Sequence, residues 1–221
     1  LIDRGNYLEG NLIPIMMARY YSKKASKLVG IRFIRIAIRP DLINSGFGRK
    51  FMEMIIKEML NHDQQYDWLG TSFGATMQLT KWWRKFGFRS VHIRPIKSKE
   101  TGEWSLIMIK PISDKANHLI SQISTDFIHR FVVLLHQSLY AMRPELVLAI
   151  FDSCHKDRSY QINLTEGAVL RLNNYLSLSI NFLMAIDAIY ALTVKYFISY
   201  PSETLSKSQN LLLISRVLQG R

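Results

Sequence analysis

The residues with the clearest chemical potential lie between positions 33 and 50, where a run rich in β-branched residues gives way to a loop and then to a helical pattern. Gly46 and Gly48 flank the start of that helix, and Arg49 and Lys50 follow at once. The first turn of a helix carries backbone N–H groups without intrahelical partners, at the positive end of the helix dipole. Glycines let the phosphates of a ligand approach those amides, so strand, glycine loop and helix together make an anion cradle suited to a pyrophosphate. The pattern is not a nucleotide-triphosphate loop, because the chain contains no Gly-Lys-Ser or Gly-Lys-Thr. It also lacks the third glycine and the downstream acid of a dinucleotide fingerprint.

The elements that must hold this loop in place read as α/β. Residues 14–28 have helical apolar spacing, with Pro14 in a first turn, three lysines (Lys23, Lys24, Lys27) near the end and Gly30 as the stop. Residues 31–38 read as a strand whose apolar positions do not alternate, which predicts cover on both faces. Residues 40–46 form a loop. Residues 47–61 read as an amphipathic helix, with Phe47, Phe51, Met54, Ile55 and Met59 on its apolar side. A strand follows over 66–72, then a helix over 75–86 with Leu79, Trp82, Trp83 and Phe86 as core candidates. Two more strands, over 88–94 and 104–109, are joined by a polar turn at 97–103.

After Pro111 the strand signals fade. Apolar-periodic stretches at 116–142, 144–151, 166–198 and 205–218 predict a helical module. Residues 175–198 are apolar enough to raise the question of a membrane span. Asn181, Asp187 and Lys195 interrupt them, which favours a buried core helix and no membrane partner. The expected division is 1–112 and 113–221.

The net charge of +12 is uneven. Residues 1–112 hold 19 Lys/Arg against 9 Asp/Glu, a balance of +10, and the remainder hold 10 against 8, a balance of +2. A positive field of this kind concentrates phosphate-bearing partners around the first half. The single cysteine, Cys154, excludes an intramolecular disulfide and a multi-cysteine metal site, reads as a small buried hydrophobe, and suits a reducing cytoplasm. Asn163-Leu164-Thr165 matches a glycosylation acceptor that has no meaning without secretion. The chain opens on Leu1 with no leader pattern, as a piece of something longer would.

Several segments taken together resemble a known family. Arg35-Ile36-Ala37-Ile38-Arg39-Pro40-Asp41-Leu42 with Gly46-Phe47-Gly48-Arg49 is similar to the acetyl-CoA motif of the GNAT acetyltransferases. More narrowly, it resembles the tRNA(Met) cytidine acetyltransferases and their eukaryotic relatives that modify rRNA and tRNA. Gly10-Asn11-Leu12-Ile13-Pro14 matches the stretch before that motif. The most specific match is Ser72-Phe73-Gly74-Ala75-Thr76 with Trp83-Arg84-Lys85-Phe86-Gly87-Phe88. The turn Thr101-Gly102-Glu103-Trp104-Ser105 is also similar, and the tail Ser215-Arg216-Val217-Leu218-Gln219-Gly220 is a weaker match. The resemblance covers residues 10–112 well and the remainder loosely.

The resemblance implies a GNAT-like α/β core, with its first strands upstream of Leu1, followed by an all-helical C-terminal module. It implies acetyl-CoA as cofactor, RNA (tRNA above all) as partner, and an ATP-dependent helicase-like part upstream in the same polypeptide. Ile36, Ala37 and Ile38 would contact acetyl-CoA through their backbone, one N–H stabilising the thioester oxygen. Ile43, Asn44, Ser45, Gly46, Phe47, Gly48 and Arg49 would wrap the pyrophosphate. Gln78 and Lys85, two turns apart on one helix face with Lys81 between them, would add two contacts. The chain departs from the family at several of these points. Ile43 replaces Gln or Arg, Arg39 replaces His, Gln78 replaces an acid, and Lys85 keeps the charge of Arg without its forked geometry. His92, Asp41 and Glu103 are available as a general base, and the sequence selects none of them. The rival readings are a GNAT enzyme acting on protein or small amines, and a non-catalytic RNA-binding module.

Overall fold

The computed structural model describes residues 12–42, 45–61 and 66–221. Two compact units, Leu1–Asp126 and Phe127–Arg221, divide inside a long helix. In the first unit the chain runs α1 (Leu12–Tyr20), β1 (Gly30–Phe33), α2 (Phe47–Asn61), β2 (Trp68–Gly74), α3 (Met77–Lys85), β3 (Arg89–Ile93) and β4 (Ser105–Pro111) before entering α4 (Asp114–His136). The order of elements is the one predicted. The strands form one mixed sheet in the order β1-β2-β4-β3. β1 and β2 are parallel, and α2 supplies the crossover that parallel neighbours need. β2 pairs with β4 antiparallel from Trp68↔Pro111 to Gly74↔Ser105, and β3 pairs with β4 on the far side.

The core explains the continuous apolar strands. One face of the sheet carries Trp68, Val91, Ile107 and Ile109. Ile13, Met16 and Met17 of α1 and Ala116, Ile120 and Ile123 at helical spacing on α4 pack against it. Strand alternation sends Leu106 and Met108 to the other face, and both are fully buried. There Trp83, only 4% exposed, sits with its ring 4.7 Å from Phe88, 5.6 Å from Phe33 of β1 and 6.3 Å from Phe73 of β2.

Five local readings are corrected. The first helix ends at Tyr20, eight residues early. Ser22 caps a separate 3-10 turn, Lys23–Lys27, through its side chain, so the three lysines sit on that turn. Gly30 does not stop a helix but opens β1, where the Trp68 ring lies 2.1 Å from the place of a Cβ. The strand at 31–38 stops at Phe33 and is half-buried, while Ile34 beyond it is 77% exposed. On α2 the inward residues are Gly48 and Met52, with Ile55, Ile56 and Met59 half-buried, whereas Phe47, Phe51 and Met54 face outward. Leu79 of α3 is likewise exposed.

Among residues 113–221 every element is helical: α4, α5 (Pro144–Ser153), α6 (Glu166–Leu176), α7 (Ile186–Ser199), α8 (Lys207–Leu212), a π-helical turn, Leu213–Leu218, and short 3-10 turns at Phe182–Ala185 and Ser202–Thr204. A ring sequence Phe127–Phe131–Phe151–Phe197 runs through the second unit at centroid spacings of 5.6, 5.2 and 4.7 Å. The apolar-periodic stretch over 166–198 is not continuous and breaks after Leu176. Leu178 adopts φ 60°, and Asn181 restarts the chain by accepting from the Met184 N–H. Thr165 of the glycosylation-like triplet is the cap of α6. Phe182–Ser199 is long and apolar enough to cross a membrane by composition. Here Ala185, Ala188, Val194, Phe197 and Ile198 of it are buried, and Asp187 pairs with Arg171. Cys154 is buried as expected, its thiol pushed up to about 12 by burial.

Two outcomes follow for stability. Trp83→Ala is expected to cost about 3–5 kcal/mol in urea unfolding, the range for removing a buried aromatic side chain. In the second unit, Asp157 accepts from the Ser159 hydroxyl and from His129 Nε2 at 3.1 Å. Chiefly Ser159, and then His129, hold its carboxyl below the usual range against the opposing effect of burial. A depressed carboxyl pKa contributes stability above about pH 4 that is lost as pH falls through the depressed value. Asp157→Asn should therefore be less stable than the parent by about 1 kcal/mol at pH 7. Thermal unfolding from pH 7 to 3 should show the gap closing at the acid end.

Candidate functional site

The site is built where the sheet opens. β1 and β2 pair from Gly30↔Trp68 to Phe33↔Thr71, and there the ladder stops. β2 continues to Gly74, held on its other edge by β4, while residues 34–39 belong to no strand or helix. The β1-side edge of Ser72, Phe73 and Gly74 has no strand beside it among the described residues. Trp83 stands at the branch point, its ring against Phe33 on one strand and Phe73 on the other. The family-like segments 72–76 and 83–88 thus meet at one place. This was missed in sequence because Phe33 and Phe73 are 40 residues apart and neither falls in a recognisable spacing.

The glycine loop lies directly after the open segment. Gly46 has φ +86°, a left-handed conformation that glycine adopts without strain, and a Cβ placed there would meet nothing within 4 Å. Gly48 has a different reason to be glycine. A Cβ on it would lie 2.3 Å from Ile38 Cδ1, so the start of α2 is drawn tightly against the open segment. The helix is launched without an acidic first turn, and its first intrahelical bond is Lys50 N–H to Gly46 C=O at 3.1 Å. The amides before Lys50 have no intrahelical acceptor, and the dipole makes that end positive.

Of the predicted contact residues, Ile36 and Ile38 are half-buried and Ala37 is exposed, all three on the open segment. Ile43 and Asn44 lie outside the described residues. The Ser45 N–H and hydroxyl both bond the Leu42 carbonyl, which closes the turn after Pro40–Leu42. Phe47 is 59% exposed beside the helix start. Arg49 donates from Nε to Glu53 Oε1 at 2.8 Å, one turn along α2. That ion pair is exposed, and such pairs hold weakly and exchange readily. Gln78, Lys81 and Lys85 are all exposed on α3. Lys85 also borders a groove of about 450 Å³ shared with Lys57 and Lys110. Gly10 and Asn11 of the preceding motif lie outside the described residues.

The three base candidates separate clearly. Asp41 is held by both ends of Arg39, each contact at 2.6 Å, and its carboxyl lies below the usual range because of that pairing. His92 is 4% exposed and enclosed by the Tyr20 and Tyr21 rings, at 5.0 and 6.2 Å. Glu103 is half-buried in the turn between β3 and β4, and no partner for its carboxylate is found among the described residues.

A parallel pair that opens beside a glycine-led helix start is the geometry that the resemblance implies, and comparison with known sequences agrees. The model of the GNAT acetyltransferase 2 family matches residues 1–63 and 53–113. The chain belongs to this family. The chain is also similar to the tRNA(Met) cytidine acetyltransferase TmcA of Pyrococcus furiosus, 34% identical over 96% of this chain and 26% of that protein. The counterpart from Thermococcus kodakarensis is 34% identical over 98% of this chain and 27% of its own length. One from Saccharolobus solfataricus is 32% identical over 99% and 28%. The chain therefore spans about a quarter of the length of these curated relatives. The resemblance read well over residues 10–112 and loosely beyond is borne out, and the similarity covers nearly the whole chain, the helical half included.

Within this family fold, the contact between Gly48 and Ile38 sets the distance from helix start to open segment. Gly48→Ala is expected to lower stability by about 1–3 kcal/mol through overpacking. Ile38→Val removes the methyl that clashes. The double variant should then recover by about 0.5–3 kcal/mol relative to the sum of the two single changes. Thermal unfolding of all four proteins measures this, and strict additivity would show that the two side chains do not meet.

Proposed function

We propose that this chain is the acetyl-CoA-binding part of an enzyme that acetylates the exocyclic amine of cytidine in RNA, most directly tRNA. The observation that carries the reading is the open edge of β2 facing an unpaired segment, with a positive helix start and an unobstructed Gly46 beside it. An extended pantetheine arm needs backbone partners, and residues 36–38 and Ser72–Gly74 leave backbone available for it. A pyrophosphate needs amides and positive charge, which Ser45–Arg49 supply, with Lys85 adding charge from α3 where it borders the later turns of α2. The residues present therefore fit acetyl-CoA, which when bound would bring an activated acetyl thioester.

The chain's own residues would divide the work as follows. Backbone N–H groups of Ile36, Ala37 and Ile38 hold the arm and donate to the thioester oxygen as negative charge develops there. Ile43 and Asn44 belong to the same phosphate loop by sequence. Gly46, Phe47, Gly48 and Arg49 hold the pyrophosphate, mainly through amides. Gln78 and Lys85 secure the cofactor from α3. The +10 balance of residues 1–112 attracts the phosphate backbone of RNA.

The same reading assigns residues 1–112 to the acetyltransferase core, whose first strands lie upstream, and 113–221 to a helical module. The relatives are named for tRNA(Met) cytidine and are about four times as long as this chain, which supports an enzyme whose ATP-dependent part precedes it in the same polypeptide. A reducing cytoplasm is part of the reading, and the protonated, buried thiol of Cys154 suits it.

Calorimetry of the intact polypeptide with acetyl-CoA is the test. One site is expected, weakened about tenfold by Lys85→Ala, a change of about 1.4 kcal/mol. Strong salt-dependent RNA binding with no acetyl-CoA binding would overturn the enzymatic reading in favour of an RNA-binding module.

A further inference from the structure

The end of β2 is the mouth of the opening, and one carboxylate sits over it. A methyl group on Gly74 would lie 1.8 Å from Glu103 Oε2, so that oxygen occupies the space directly above the last residue of the open edge. The placement is fixed by backbone. Gly74 pairs with Ser105, and the Ala75 N–H donates to the Trp104 carbonyl at 2.7 Å. The turn that presents Glu103 is itself braced. Gly102 takes φ +69°, the Ser98 N–H donates to the Glu103 carbonyl at 2.8 Å, and the Ser98 hydroxyl accepts from the Glu100 and Thr101 amides.

The surroundings leave this carboxylate uncommitted. Ser72, Phe73 and Gly74 carry no titratable group, and the Ser72 hydroxyl is within 3.3 Å of the Ser105 hydroxyl. The other charged groups of the turn between β3 and β4 are Arg94, Lys97, Lys99 and Glu100, and Lys97 Nζ is engaged over the Trp104 ring at 4.3 Å. Among the described residues no hydrogen bond or ion pair reaches the Glu103 side chain.

We propose that Glu103 is a catalytic residue that receives the exocyclic amine of the acceptor cytidine, orients it by accepting an N–H, and takes its proton during transfer. The proposal rests on the acetyltransferase reading above. A carboxylate is a natural partner for the cytosine amine, and it repels the carbonyl oxygen that uracil carries at the same place. In the step, the amine nitrogen forms a C–N bond to the acetyl carbon. The thioester C–S bond breaks with its electron pair going to sulfur. The proton lost by nitrogen passes to Glu103 and from there to that sulfur, which leaves an amide and a free thiol. Placing the acceptor and the proton acceptor together in this way typically contributes about 10²–10⁴-fold.

The test uses the intact polypeptide. Glu103→Gln should bind acetyl-CoA like the parent in calorimetry, yet transfer acetyl to RNA at least about 100-fold more slowly in a single turnover. A binding readout without acetyl-CoA is independent of catalysis. The parent should prefer a cytidine-bearing RNA fragment to its uridine counterpart about tenfold, and Glu103→Ala should erase that preference. Gly74→Ala, which displaces the carboxylate but leaves it intact, should slow transfer in the same direction. If Glu103→Gln disturbs folding, Gly74→Ala and formate rescue of Glu103→Ala decide the matter. A Glu103→Gln rate within threefold of the parent, or an unchanged cytidine preference in Glu103→Ala, would overturn the assignment while leaving the acetyltransferase reading intact. A parent that binds no acetyl-CoA would instead overturn that reading and this inference with it.

Discussion

The arrangement of the first unit depends on one aromatic contact, the wedge of Trp83 between Phe33 and Phe73. Two parallel strands joined by ladder bonds have no intrinsic reason to separate. Here the ladder ends at Phe33↔Thr71, and the indole ring fills the place where their side chains would otherwise close on one another. Because Phe88 also touches the ring, the same contact ties the start of β3 to the branch point. The apolar gain at this junction is the burial of Trp83 and Phe88, with Phe33 and Phe73 half-buried beside them.

Everything that the site requires is then placed by reference to that junction. β4 holds the long edge of β2 straight through seven register pairs and carries Glu103 to its end. Gly48 lets the start of α2 approach the open segment until it touches Ile38. The other face of the sheet is packed by α1 and the beginning of α4, and by strand alternation Gly74, with Glu103 over it, points to that face.

Much of this was legible in the sequence, and the exceptions have physical reasons. The helix over 47–61 and the order of all seven elements follow from periodicity and turn residues alone. Periodicity fails on the inward face of α2 because apolar residues lie nearly all round it. The close contact that decides the face is made by Gly48, which contributes no hydrophobic signal. A run such as Ile34-Arg35-Ile36-Ala37-Ile38 announces extended backbone but not whether a neighbour pairs with it. That is settled by Trp83, nearly fifty residues away. The glycine loop was recognisable from spacing, yet the sequence could not show that Gly46 serves a turn and Gly48 a contact. Among the acids, only three-dimensional placement separates Glu103 from Asp41, because the pairing of Asp41 with Arg39 and the isolation of Glu103 are both matters of distance.

The end of the second unit has a consequence for how the chain comes to be folded. The Gln219 side chain is buried and donates to the carbonyls of Met142 at 2.8 Å and Leu139 at 3.4 Å, across 77 and 80 residues of sequence. The Leu139 carbonyl also accepts from the Met142 N–H within the turn between α4 and α5, whereas the Met142 carbonyl receives its donors, Gln219 and Arg221, only once the chain has been made to that point. Closing so long a loop costs entropy that only the completed packing repays. The helical unit should consequently reach its native state only once residue 219 has been made, while the described strands of the sheet unit ahead of it are in hand a hundred residues earlier.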